Sequence, residues 1–155
     1  VITQFSIPLP PTLNEQINQA RSHWTKSART KDQWSAAVAR AASGSHQFSA
    51  DVWITLDFVL QRYTSRDWDN TVASAKFILD GLKDAGTIAD DSFSVVQAVT
   101  PFFRPAVKVG RKLEEECVTV TVSDRPLREI IRFPVVVGAA IPQTIRANSN
   151  IGGAA

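Results

Sequence analysis

The sequence predicts an α+β domain in the order β-α-β-α-β-β, a mixed sheet covered by two helices, chiefly on one face. Three observations predict it. Residues 52 to 60 place Val52, Ile54, Leu56, Phe58 and Leu60 on one side and Trp53, Thr55, Asp57 and Val59 on the other, the two-residue period of a strand. Two further segments space their apolar residues as one helix face does: Trp34, Ala37, Val38 and Ala41, then Val72, Ala75, Ile78, Leu79, Leu82 and Ala85. Late in the chain Val118, Val120 and Val122 alternate with Cys117, Thr119 and Thr121. A chain of 155 residues that is 44% hydrophobic can build one core. The composition shift at Asp124 divides it into a domain over 1–123 and a C-terminal extension over 124–155.

In chain order, Val1 to Ile7 reads as a first strand stopped by Pro8, Pro10 and Pro11. Asn14 to Arg29 has no amphipathic period and reads as a loop or a segment ordered by substrate; Trp24 within it either anchors that loop to the core or stacks on an unpaired base. Thr30 and Gln33 match a capping box, which starts a helix that Ser43-Gly44-Ser45 ends. Strand 52–60 is expected at the centre of the sheet, because both of its faces carry apolar residues, and its direction continues through Arg62 and Arg66 to Asp67. Asn70 or Thr71 then opens a helix that Gly86 closes in a left-handed position. Phe93 to Phe103 and Glu116 to Ser123 read as the last two strands, joined by a basic connection around Gly110. In the extension, the apolar run at Val135-Val136-Val137 either covers the domain or lies across a second subunit, and the small-residue end is expected to be disordered.

The stretch from Ser65 to Asp91 concentrates the chemistry. Asp67 and Asp69 follow the central strand, and Asp90 and Asp91 follow Gly86. On extended backbone Asp67 and Asp69 would share a side, about 7 Å apart. Oxygen donors of this kind suit a hard divalent cation near phosphate, but acidic pairs also serve as caps and turns, and spacing alone leaves both readings open. Lys76 either pairs with Asp80 one turn on or reaches out from the border of the apolar stripe. The net charge is +2, with positive residues gathered at Arg21, His23, Lys26, Arg29 and Lys31, at Arg66, and around Gly110 at Arg104, Lys108, Arg111 and Lys112. These are phosphate contacts or solvated faces.

Several classes fall away. A calcium loop from Asp67 would need glycine where Val72 stands and glutamate where Ile78 stands. Cys117 is the sole cysteine and the two histidines are far apart, so neither a zinc site nor an intrachain disulfide is supported. No Gly-rich phosphate loop or nucleophile elbow occurs. The first residues show no secretory-leader pattern, and Phe133 to Ile141 is too short to span a bilayer, so the expectation is a soluble, cytoplasmic protein without membrane partners.

Arg66-Asp67-Trp68-Asp69-Asn70, a lysine on the following helix, Asp80-Gly81-Leu82, Ala85-Gly86, Asp90-Asp91 and, upstream, Pro10-Pro11-Thr12-Leu13-Asn14 together resemble the RusA family of Holliday junction resolvases, over roughly residues 3 to 123. The resemblance implies a magnesium-dependent endodeoxyribonuclease, with manganese as a substitute, that resolves four-way DNA junctions by paired symmetric nicks. It further implies a homodimer of bacterial or phage origin. By the same resemblance Asp67, Asp69 and Asp91 match the metal-binding aspartates, with Asp90 adjacent, and Lys76 would stabilise charge developing on the phosphate or leaving oxygen. One departure is that the family's lysine position holds Ala73, and Lys76 comes three residues later, about 4.5 Å of rise and about 60° short of a full turn. The alternative expectation is a catalytically silent module of the same fold that holds branched DNA.

Overall fold

The structure, a computed structural model, describes residues 1–127, apart from the side chain of Trp24. The expectations for the apolar run and the disordered end of the extension lie outside the described residues. Four strands form a mixed sheet in the order β1 (Ile2–Pro8), β6 (Cys117–Ser123), β2 (Val52–Leu60), β3 (Val96–Pro105). β6 runs antiparallel to both β1 and β2, and β3 is parallel to β2. β2 therefore has a neighbour on each side, as its two-faced apolar pattern predicts.

Register turns the alternation into layers. Ile54, Leu56 and Phe58 pair with Val122, Val120 and Val118, and Phe5 and Ile7 of β1 pair with Val120 and Val118. This face carries the core; Leu56, Phe58, Val118, Val120 and Val122 are wholly buried in it. The opposite face is hydroxyl-rich: Thr55 pairs with Thr121, Gln4 Nε2 donates to Thr121 Oγ1 at 2.9 Å, and Ser6 and Thr119 share a 3.0 Å hydrogen bond.

Helices α2 (Trp24–Ala41) and α4 (Ala75–Asp84) supply Val38, Ile78 and Leu82 to the core, joined by Ala42 at the C-terminal cap of α2. The helices cross closely at Gly81, where an added Cβ would stand 2.4 Å from Val38 Cβ. On α2 the buried positions include Ser35 and Val38, with Ala42 just beyond its end, whereas Ala41 is exposed, so the stripe expected from Trp34, Ala37, Val38 and Ala41 is rotated.

The largest departure from expectation is residues 13 to 29. They are helical: α1 spans Leu13–Ser22, and α2 already begins at Trp24, leaving Thr30 and Gln33 inside it rather than capping it. The capping box lies upstream, where the Thr12 N–H and hydroxyl donate to Glu15 Oε2 at 2.7 and 2.8 Å. α1 buries no residue, which is why no apolar stripe announces it.

The connection from β2 to β3 also differs in detail. β2 does not run on to Asp67; a 3₁₀ turn at Tyr63–Ser65 intervenes. The helix opens at Trp68, two residues before the expected start at Asn70, and breaks into α3 (Trp68–Val72) and α4 around Ala73 and Ser74. Ser74 Oγ donates to the Thr71 carbonyl at 2.7 Å, a side-chain bond to backbone of the kind that interrupts helices. Gly86 at φ +68° closes α4 as expected, with Gly86 N–H to Lys83 O and Thr87 N–H to Leu82 O both at 2.9 Å. Residues 92–95 form a turn instead of strand, so β3 starts at Val96 rather than Phe93. The basic connection is a short ribbon, β4 (Lys108–Val109) against β5 (Lys112–Leu113), turning at Gly110 with φ +63°.

Candidate functional site

Asp67 caps α3 with extended backbone, and Asp69 lies in its first turn, where a negative side chain suits the exposed N–H groups of the helix. Because Trp68 and Asp69 are helical, the extended-chain spacing expected for the two aspartates does not apply. Asp67 makes no side-chain capping bond. Both carboxylates are exposed, and neither accepts a hydrogen bond or ion pair from another described residue. Trp68 between them is 62% exposed, its inner edge held against Phe103 at 6.0 Å between ring centres, and Phe103 in turn stacks on buried Phe58 at 5.0 Å. Asn70 Oδ1 accepts the Asn14 N–H at 2.8 Å, tying the start of α1 to α3.

Asp90 and Asp91 occupy a different place. The Lys83 ammonium pairs with Asp90 and lies 3.5 Å from Asp91, fixing both carboxylates at the last turn of α4. Hydrogen bonds from Lys83 and then Ser92 hold the Asp90 carboxyl down at about 2, while the bond to Asp90 raises Lys83. Topology explains the separation. β2 and β3 are parallel, so the crossover must return from the end of β2 to the start of β3. α4 makes that return, and ten residues of helix cover about 15 Å. Asp67 and Asp69 precede it, and Asp90 and Asp91 follow it. The structure thus brings Asp67 and Asp69 together in one turn, and Asp90 and Asp91 in another, but does not join the two pairs. Among the described residues no group of three His, Cys, Asp or Glu side chains is placed to hold a metal ion. What stands free is a two-carboxylate set of hard oxygen donors, and magnesium is commonly held by one or two carboxylates completed by substrate phosphates.

Lys76 is exposed and donates to Asp80 Oδ1 at 3.1 Å, one turn along α4; Lys31 Nζ from α2 lies 3.3 Å from Asp80 Oδ2. Arg66 and Arg104 are engaged as well. Arg66 forks onto Glu116 with both contacts at 2.9 Å, and Arg104 onto Glu114 with both at 2.6 Å. The second pair raises Arg104 and lowers Glu114, through their mutual hydrogen bonds first. The remaining basic residues expected at phosphates stay exposed: Arg21 on α1, His23 between the helices, Lys26 and Arg29 on α2, Lys108 and Arg111 at the ribbon. Burial pushes the Cys117 thiol up, away from the reactive thiolate.

Sequence reasoning passed over two aromatic side chains. Trp68 sits inside the Asp67–Asp69 motif itself, and Phe93, two residues after Asp91, is 96% exposed. The only signal in the sequence was their position beside acidic pairs, since an aromatic residue in a short motif is usually core. Compared with protein-family models and with curated proteins, the chain finds no match. No helix among the described residues is long and apolar enough to cross a membrane.

Proposed function

We propose that this chain is a metal-dependent, structure-selective endodeoxyribonuclease acting on branched DNA, as its resemblance to the RusA resolvases implies, with Asp67 and Asp69 at the centre of the site. The observation that carries the reading is the pair of exposed carboxylates, without partners among the described residues, on either side of an exposed tryptophan. Magnesium, or manganese in its place, would supply a Lewis acid for the scissile phosphate and lower the pKa of an attacking water. Asp67 and Asp69 offer the oxygen donors. Trp68 offers an aromatic face to a base left unpaired at a branch point, a contact worth about 1–3 kcal/mol per base. Arg21, His23, Lys26, Arg29, Lys108 and Arg111 are free to meet phosphates, whereas Arg66 and Arg104 are spent on glutamates. Paired nicks require two sites, which a two-fold homodimer would provide.

Incubation of a labelled four-way junction with magnesium tests the reading. Paired symmetric products are expected from the native chain. Asp67→Asn and Asp69→Asn should abolish cutting yet bind the junction equally or more tightly, because each removes a charge that repels phosphate. Asp84→Asn, near the end of α4, is the control. Asp91→Asn is the informative arm: loss of cutting would mean that its loop leaves Lys83 and joins the site on DNA, and full cutting would mean that two carboxylates suffice. Near-native rates in the Asp67 and Asp69 variants would refute the assignment. A second reading, a silent branched-DNA-binding module, is favoured by the hold of Lys83 on Asp90 and Asp91 and by the Lys76–Asp80 pair. Tight junction binding with no product in magnesium or manganese would establish it.

A further inference from the structure

β4 and β5 form a two-stranded sheet of their own, and every residue from Val107 to Leu113 is exposed, so neither face of this ribbon rests on the described domain. Three aliphatic side chains stand on it, Val107, Val109 and Leu113, at 42%, 44% and 42% exposure. Interleaved with them are Lys108, Arg111 and Lys112. The nearest acidic residues lie beyond the ribbon: Glu114, which Arg104 neutralises, and exposed Glu115. Register distributes the basic charges. Lys108 pairs with Leu113 and Val109 with Lys112, and cross-strand partners share a face, so each face carries a lysine beside aliphatic carbon. A lone hairpin is marginal in water, and this one is braced at its root. The Glu114 N–H donates to the Val107 carbonyl at 2.9 Å, the Val107 N–H to Glu114 Oε2 at 3.2 Å, and Gln61 Nε2 to the Glu114 carbonyl at 2.9 Å. The Gln61 N–H also donates to Glu116 Oε1 at 3.0 Å, and Arg66, next to Asp67, holds that same glutamate. The ribbon therefore springs from the end of the sheet that carries the Asp67–Asp69 turn.

We infer that the ribbon enters the major groove of one duplex arm of the bound DNA. The inference rests on the nuclease reading above and adds which surface of the DNA the protein grips. A projection exposed on both faces suits a slot with two walls, and each wall of a groove is a row of phosphates. Lys108 would meet one wall and Lys112 the other, with Arg111 at the tip beside them. Dimensions agree. Val107 to Gly110 is three strand steps, about 10 Å, and a sheet with its side chains is about 10 Å thick. The major groove is about 12 Å wide and about 8.5 Å deep and admits a two-stranded ribbon, whereas the minor groove, about 6 Å wide, is too narrow. The aliphatic side chains decide against contact with phosphates alone, which needs no exposed hydrocarbon. Inside the groove Val109 and Leu113 meet sugars and base edges, the thymine methyl among them. A second copy of the chain suits the ribbon less well, because in a two-fold contact of ribbon on ribbon the three basic residues would face their own copies.

The test binds the full chain, without metal, to a labelled four-way junction and treats the complex with dimethyl sulfate, which methylates guanine N7 in the major groove and adenine N3 in the minor groove. Protection of guanine N7 at a fixed distance from the branch point is expected, with adenine N3 in the same arm still reactive. A Val109→Ser, Leu113→Ser double variant should lose that protection and bind about tenfold more weakly, since two aliphatic contacts are gone. Its slope of log affinity against log salt should stay native, because every basic residue remains. Circular dichroism checks that the variant is folded, and protection by the native chain decides the matter without it. Unprotected N7, protection of N3 instead, or native affinity in the double variant would overturn the inference and leave phosphate contact only. A fall from dimer to monomer in sedimentation of the double variant, with N7 unprotected in the native complex, would overturn it in favour of a contact between copies. Groove protection needs neither metal nor cutting, so the two readings fail separately. Protection without cleavage in magnesium or manganese retires the nuclease alone, and cleavage without protection retires the ribbon alone.

Discussion

Replacing Gly81 with alanine should destabilise the fold, although helix propensity alone argues the reverse. Alanine in a helix interior is favoured over glycine by about 1 kcal/mol. At this position, however, the new Cβ would lie 2.4 Å from Val38 Cβ and 2.8 Å from the Ser35 carbonyl oxygen. Non-bonded carbons rest at about 3.5–4.0 Å, so roughly 1 Å of separation must be found. Neither neighbour can swing aside: one is backbone within α2, and the other is a fully buried β-branched side chain. The helices must part, and overpacking of this kind costs about 1–3 kcal/mol, occasionally more. With two obstructions the cost belongs at or above the upper end, leaving a net loss of about 2 kcal/mol after the propensity gain. In urea, where stability falls by about 1–3 kcal/mol per molar, the unfolding midpoint should drop by about 1 M. Circular dichroism at increasing urea measures it directly. An unchanged or raised midpoint would refute the close crossing of α2 and α4.

Other consequences follow from single contacts. Asp90 titrates at about 2 when folded and at about 3.9 when unfolded, so its contribution to stability is present above the unfolded value and is lost as the pH falls through about 2. Carboxyl-carbon NMR should show that low midpoint, and Lys83→Ala should return it toward the ordinary range; an ordinary midpoint in the native chain would show that Lys83 is not there. Gly86→Ala, forced into the left-handed region at φ +68°, should lose about 1–2 kcal/mol in the same urea assay. Lys108→Ala and Arg111→Ala should each lower the slope of log affinity against log salt for junction binding by about 1, while Arg104→Ala, whose guanidinium is held by Glu114, should leave that slope unchanged.

The sheet was legible in the sequence because each strand writes its two faces into a period of two. Val52 to Leu60 and Cys117 to Ser123 could be read to within a residue, and their register follows from matching apolar to apolar. α1 was not legible. A helix that buries nothing needs no stripe, and Leu13–Ser22 is held by the Thr12–Glu15 cap and by packing against α2, neither of which leaves a periodic trace. The same cause hid the first two turns of α2, whose residues up to Arg29 are mostly exposed and polar. Gly86 was readable because a left-handed helix end has few substitutes.

The candidate site was half legible, and the crossover explains which half. Asp67 and Asp69 are two residues apart, so they fall in one turn whatever the local structure, although helical backbone at Asp69 removes the shared side that an extended chain would give them. Whether Asp91 joins them depends on where α4 sends the chain, which sequence spacing does not encode. Twenty-odd residues can return to their start through two antiparallel elements or end a helix length away through one. Here β3 pairs parallel with β2, and the single return helix carries Asp91 to its far end, where Lys83 supplies the positive charge that a cation would otherwise supply. A lysine one or two turns earlier on the same helix would leave both loop carboxylates uncompensated. Lys83 is therefore the residue on which the two functional readings divide. If it yields Asp91 when DNA binds, the loop can complete a metal site. If it does not, the proposed cutting would rest on Asp67 and Asp69 alone, or the second reading, binding without cutting, would hold.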